Sequence, residues 1–165
     1  MLKDPAQCLM TLEEAAGWRE TLRRDGRRLV VTNGCFDLLH RGHAAYLFDS
    51  RRLGDALLVL INSDASVRAL KGPARPVNDE YSRGYLLASL AAVDAVVVFD
   101  GQRCDRELGL LAPDIYVKGG DYTLDKLDPA ERRALEDCRA RICFKPFVPG
   151  FSTTGMIDRI LQGLA

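Results

Sequence analysis

Residues 55–62 read Asp-Ala-Leu-Leu-Val-Leu-Ile-Asn, and no other stretch limits the fold as much. Side chains of a strand alternate between two faces, so an unbroken apolar run makes both faces apolar. Such a strand must be covered on both sides, as happens inside a parallel sheet with helices above and below it. Four further apolar runs read as strands: Arg28–Thr32, Ala95–Phe99, Ile115–Lys118 and Arg141–Phe147.

Between the runs lie helical stretches. One covers Ala44–Leu53, and a short one capped by Ser63 ends near Leu70. A third covers Asp79–Ala91, with Tyr85, Leu86 and Leu90 in its apolar stripe. The others are Asp105–Leu111, a charged helix opened by Asp128-Pro129 and running to about Ala140, and a last helix capped by Ser152 and running through Leu161. Asp128 followed by Pro at the first helical position is a start signal. The β-α alternation predicts a doubly wound, Rossmann-like α/β domain with a mostly parallel sheet and helices on both faces. Residues 1–10 read as a loose arm. Thr11 and Glu14 form a capping box for a helix whose Leu12, Ala15, Ala16, Trp18 and Leu22 pack onto the domain before Asp25-Gly26 stops it. The expected organisation is one domain over 1–165, with arm and helix over 1–27 and the α/β core over 28–162.

The chain has 165 residues, with 23 Lys plus Arg against 23 Asp plus Glu. A balanced charge argues against a general nucleic-acid binder, which carries a basic excess. Five cysteines are scattered without a C-x-x-C pair, which argues against a zinc ribbon or a thioredoxin-type site. The odd count and the lack of a leader in residues 1–10 predict a reducing, cytoplasmic setting. No apolar run approaches membrane-spanning length.

The chemistry gathers in Thr32-Asn-Gly-Cys-Phe-Asp-Leu-Leu-His-Arg-Gly-His43. A strand leads into a glycine-bearing turn that opens a helix, the place where α/β proteins bind phosphate on free backbone N–H groups at the positive end of the helix dipole. His40 and His43, the two histidines of the chain, stand at that entrance. Neutral imidazoles donate hydrogen bonds to an anion and strengthen them as charge grows in a transition state. A metal site of Asp37, His40 and His43 is the alternative by ligand type. Residues 150–155, Gly-Phe-Ser-Thr-Thr-Gly, do not form a G-x-S-x-G elbow, and there is no P-loop.

His40-Arg-Gly-His43 after Gly34-Cys-Phe-Asp37, followed far downstream by Phe151-Ser-Thr-Thr154 at the opening of a late helix, resembles the nucleotidyltransferase superfamily with the H-x-G-H motif. The resemblance covers about Leu29 to Ile160 and implies a five-stranded parallel sheet of order 3-2-1-4-5. Within the superfamily the chain is most similar to the adenylyltransferases of ADP-heptose synthesis. The matching stretches are Thr32-Asn-Gly, Val59-Leu-Ile-Asn-Ser-Asp64, Leu70-Lys-Gly72, Arg75-Pro-Val-Asn78 and Val117-Lys-Gly-Gly-Asp-Tyr122. In many relatives this domain is fused to a sugar kinase; here it is expected to stand alone.

The resemblance implies roles residue by residue. His40, His43 and Lys71 are the catalytic set. Nucleotide contacts fall to Asn33, Cys35, Phe36, His40, His43, Lys118, Asp121, Ser152, Thr153 and Thr154. Asp37, Asp64, Lys71 and Arg75 face the acceptor, and no protein metal ligand is expected. Structural jobs compete with some of these: Ser152 is also a helix cap, Lys71 a solvated lysine, and Asp37 a brace for the histidine turn.

The implied reaction is transfer of AMP from ATP to a sugar phosphate, with Mg²⁺ accompanying ATP; the resemblance also suggests a homodimer. Glycerol-phosphate and choline-phosphate cytidylyltransferases carry an Arg where this chain has Phe147, which favours ATP over CTP. Residues 127–143 match the heptose enzymes poorly.

Overall fold

The computed structural model describes residues 3–146 and 149–163. Its strands are β1 (Leu9–Met10), β2 (Leu29–Gly34), β3 (Ala56–Asn62), β4 (Ala95–Phe99), β5 (Ile115–Gly119) and β6 (Arg141–Lys145). Its α-helices are α1 (Leu12–Arg24), α2 (Arg41–Arg51), α3 (Asp64–Lys71), α4 (Glu80–Ala88), α5 (Asp105–Leu111), α6 (Pro129–Asp137) and α7 (Thr153–Gly163). The strands form one sheet of order β1-β4-β3-β2-β5-β6, and every pair is parallel.

The expected five-stranded sheet of order 3-2-1-4-5 is therefore corrected to six strands. The additional member is β1, which lies in the stretch read as a loose arm. Leu9 and Met10 pair with Val96 and Val97 at the β4 edge. Gly84 makes room for this: a Cβ there would stand 3.3 Å from Leu9 Cδ2. Phe147, expected to end the last strand and to mark the nucleotide preference, lies outside the described residues.

Burial follows the strand period. Leu29, Val31, Leu58, Leu60, Val97 and Tyr116 pack on one face with Ala15 and Leu22 of α1, Leu108 and Leu111 of α5 and Leu135 of α6. Val30, Leu57, Val59, Ile61, Val96 and Val117 pack on the other with Leu47 of α2 and Leu87 of α4. All of Ala56–Ile61 is fully buried, as the unbroken apolar run demands. Each such leucine stabilises the fold by about 1.5–3 kcal/mol relative to exposure. No described helix is long and apolar enough to cross a membrane.

Helix α4 departs from its expected stripe. Tyr85 and Leu86 are 40% and 45% exposed, and the inward face is Arg83, Gly84, Leu87 and Ala88, with Leu90 half-buried beyond the helix. Arg83 takes an interior place because its guanidinium finds partners there.

Candidate active site

The corner after β2 is built by two close approaches to glycine. Phe36 has a φ of 47°, a left-handed conformation that costs an ordinary residue energy and persists where the surroundings enforce it. Its ring lies over Gly34, where a Cβ would meet Phe36 Cε2 at 2.9 Å. Further along the turn, His40 is the N-cap of α2, and its Nδ1 accepts the backbone N–H of His43 at 3.3 Å. A ring that accepts through Nδ1 carries its proton on Nε2 and presents that as a donor. Gly42 lets the ring fold back, since a Cβ there would stand 3.0 Å from it and 3.1 Å from Phe151 Cβ. These contacts explain the glycine of the H-x-G-H spacing.

The rings of His40 and His43 stack, with centroids 3.8 Å and planes 13° apart, and Phe36 closes the far side at 5.1 Å. Burial pulls His43 down to about 4, and the neighbouring His40 adds to the effect. Burial lowers His40 as well. Both rings are thus neutral donors near neutrality.

A second helix opens beside the first. Phe151 approaches His40 at 6.2 Å between centroids, and the Arg41 guanidinium lies 5.1 Å above the Phe151 ring. Thr153 donates its hydroxyl to Leu38 O at 3.4 Å. Ser152 accepts the N–H of Gly155 at 3.0 Å, so it performs the capping job. Thr154 is exposed, and its hydroxyl has no partner among the described residues. The N-termini of α2 and α7 therefore converge, and their dipoles favour an anion between them.

Three of the residues expected at the acceptor, Asp37, Asp64 and Arg75, have other attachments. Asp37 is buried; it accepts from the Arg75 guanidinium and from the backbone N–H groups of Val77 at 2.8 Å and Asn78 at 3.1 Å. Burial alone raises its pKa, but the bonds from Arg75, Asn78 and Val77 outweigh this and hold the carboxyl below its ordinary value. Asp37 and Arg75 thus spend their charges on each other and clamp the histidine turn to residues 75–78. Asp64 pairs with Arg83 at 2.9 Å. For Asp37, Asp64 and Arg75 the observed contacts are braces.

Arg83 is absent from the residues that sequence reasoning selects, and it is the hub of this side. Fully buried, it donates to the carbonyls of Cys35 at 2.7 Å, Asn62 at 2.8 Å and Asn78 at 3.1 Å as well as to Asp64. A charged residue in register with Leu87, one turn away on the same helix face, was the available signal.

Cys35 stands against Asn62, with Sγ 3.7 Å from Oδ1, and burial raises its thiol, so no thiolate chemistry is indicated. Lys71 is exposed at the end of α3, and its charge opposes the burial effect on Cys35. Its ammonium has no bond among the described residues. Asn33 and Lys118, at the ends of β2 and β5, bond to each other at 2.8 Å. Asp121 lies on the loop after β5, where Lys126 holds it 3.4 Å away at the surface. Among the described residues no set of three or more His, Cys, Asp or Glu is grouped to hold a metal ion.

A cavity of about 710 Å³ opens at the entrances of α5 and α6, lined by Leu70, Gly101, Gln102, Arg103, Asp105 and Asp128. Its wall is tied to the corner, because Gly101 O accepts from Asn62 Nδ2 at 3.4 Å and from Ser66 at 2.8 Å while Asn62 holds Cys35.

The model of the cytidylyltransferase-like family matches residues 31–157. The chain is 49% identical over 143 residues to the Bifunctional protein HldE of Syntrophotalea carbinolica, covering 87% of this chain and 29% of that protein. It is 45% identical over 159 residues to the Bifunctional protein HldE of Methylococcus capsulatus, covering 96% and 33%. The chain thus spans well under half the length of the curated relatives it matches. Among solved structures, the lipopolysaccharide core biosynthesis protein of Thermoplasma volcanium is 31% identical, with a TM-score of 0.60 over 74% of this chain and 98% of that one. Pantothenate synthetase of Thermus thermophilus, 18% identical with a TM-score of 0.56 over 85% and 62%, shares the fold.

Proposed function

The chain belongs to the cytidylyltransferase-like family and is a nucleotidyltransferase, and on that premise we propose that it moves AMP from ATP to a sugar 1-phosphate, with heptose 1-phosphate as acceptor. The observation that carries the reading is the pair of stacked, neutral imidazoles at the mouth of α2, facing the opening of α7. The resemblance of the Thr32, Leu70, Arg75 and Val117 stretches to the adenylyltransferases of ADP-heptose synthesis supports the choice of substrates.

In this reading an oxygen of the acceptor phosphate attacks the α-phosphorus of ATP in line. The new P–O bond forms as the bond to the β-phosphate breaks, and the electron pair leaves with pyrophosphate. The attacking phosphate is already an anion, so the protein's work is positioning and charge stabilisation. His40 donates from Nε2 to the phosphate oxygens, His43 supports it from behind in the stack, and Thr153 and Thr154 with the α7 N–H groups take the outgoing pyrophosphate. Lys71 neutralises phosphate at the rim. Mg²⁺ would enter with the substrate as MgATP and neutralise charge on its phosphates. The cavity lined by Gln102, Arg103 and Asp128 would give the acceptor's hydroxyls room and polar partners.

The test is pyrophosphate release with Mg²⁺, crossing ATP and CTP with heptose 1-phosphate, glycerol 3-phosphate and phosphocholine. Release with ATP and heptose 1-phosphate alone is the expected result. Release with CTP and a polyol phosphate would keep the histidine corner and overturn the substrate assignment. ATP binding without release in any combination would favour a non-catalytic nucleotide-binding module.

A further inference from the structure

Asn33 and Lys118 sit where the strand order reverses: the chain leaves β2 toward β3 and β4, then returns to β5 on the other side of β2. Crevices at such reversals, outside the carboxyl ends of the strands, are where open α/β sheets bind ligands. The side-chain oxygen of Asn33 accepts two donors there, the Tyr116 hydroxyl and the Lys118 ammonium, each at 2.8 Å. Two donors on one atom fix which end of the amide is oxygen. Asn33 Nδ2 is therefore turned away from Lys118. It has no partner among the described residues and is not one of their buried, unpartnered polar atoms, so it is not sealed from solvent in this half-buried residue.

Lys118 is held in turn. Its ammonium lies 3.6 Å from Glu131 Oε2; Glu131 is buried and Lys118 half-buried, with 5% and 14% of their side chains exposed. The other oxygen of Glu131 accepts the Cys104 backbone N–H at 3.2 Å and its thiol at 3.3 Å. Asp128 caps the first turn of α6 and accepts the Glu131 N–H at 3.4 Å. Buried ion pairs are often no more stabilising than apolar pairs of the same volume. What the ion pair adds is a fixed ammonium and, through it, a fixed amide.

We propose that Glu131 is a positioning residue: through Lys118 it holds Asn33 with its amide N–H₂ directed into the β2–β5 crevice, as a donor to a hydrogen-bond acceptor on the bound nucleotide. This rests on the nucleotide reading above, and it gives α6, whose sequence departs from the heptose enzymes, a part in the site. Asn33 would then select for an acceptor atom on the ligand, with the carboxylate of Glu131 setting that selection from the far side of the sheet edge.

The test is calorimetric titration of MgATP, which needs no acceptor, into the wild type, Asn33→Asp, Lys118→Met, Glu131→Gln and the Lys118→Met/Glu131→Gln double variant. Asn33→Asp keeps the shape and the bond to Lys118 but offers oxygen in place of N–H₂, and it should weaken ATP by about tenfold or more. Glu131→Gln keeps an acceptor for Cys104; it should weaken ATP by about threefold to tenfold alone but by less than about twofold in the Lys118→Met background. In turnover assays Glu131→Gln should raise the KM for ATP with kcat held within about twofold. An equal loss from Glu131→Gln in both backgrounds would show a purely structural role and overturn the proposal. Wild-type affinity in Asn33→Asp would do the same, and that variant carries the test alone if Glu131→Gln does not fold. A wild type that binds no nucleotide would instead overturn the nucleotide reading on which the proposal stands.

Discussion

The Nδ1 of His40 accepts the backbone N–H of His43 at 3.3 Å, so one imidazole both caps α2 and directs its Nε2 proton outward. The two jobs separate by mutation. His40→Asn restores a capping oxygen and should hold stability, while His40→Ala should lose about 1 kcal/mol of it. Both should lose about 2–4 kcal/mol of transition-state stabilisation. Thermal unfolding beside kcat/KM reads the two effects, and wild-type turnover in either variant would remove His40 from the chemistry.

Gly42→Ala acts on the same ring from behind. The new methyl would stand 3.0 Å from the His40 imidazole and 3.1 Å from Phe151 Cβ, so the ring or the α7 entrance must shift. Alanine is the better helix former by up to about 1 kcal/mol, which offsets the crowding. The expected result is a melting temperature near that of the wild type with kcat down by about tenfold or more.

The corner was legible in the sequence because its parts are local: Gly34, Phe36, His40, Gly42 and His43 make one turn, and their spacing carries the geometry. The five longer strands were legible as apolar runs. What escaped was set by distant partners. Leu9 and Met10 form a strand only because β4, far along the chain, offers its edge to them. Arg83 reads as a solvated helix residue until Cys35, 48 positions away, supplies a carbonyl. Glu131 needs Cys104 and Lys118 in the same way. Asp37, Asp64 and Arg75 were seen in the right neighbourhood, but sequence does not show which charges are already spent on each other.

Burial, with His40 adding to it, lowers His43 from its ordinary value of 6.5 to about 4. Between these values the unfolded chain binds a proton that the folded chain refuses. Stability from this group is therefore complete above 6.5 and falls as the pH drops toward 4. The loss should be on the order of 2–3 kcal/mol by about pH 4.5. Urea unfolding at neutral and acid pH measures it, and His43→Asn should flatten the dependence by that amount.

Arg83 satisfies three carbonyls and one carboxylate from a fully buried position. Arg83→Met fills the same space but leaves those oxygens unpaired, for an expected cost of about 3–5 kcal/mol in chemical denaturation. Arg83→Lys keeps the charge without the fork of donors and should recover only part of the loss.

Lys71 differs from the other charges around the corner. Arg75 and Arg83 are tied to Asp37 and Asp64, whereas the Lys71 ammonium is exposed with no bond among the described residues, yet its charge is felt at Cys35. Removing it should leave the fold untouched, so Lys71→Ala should melt like the wild type. If it meets phosphate at the rim, the same change should raise the KM for a phosphorylated substrate by about tenfold, or about 1.4 kcal/mol. Salt separates this from a packing effect. An exposed charge pair is screened over about 10 Å at roughly 0.1 M ionic strength, so the KM of the wild type should climb with salt and converge on that of Lys71→Ala. Parallel salt curves for the two proteins would return Lys71 to the solvated surface.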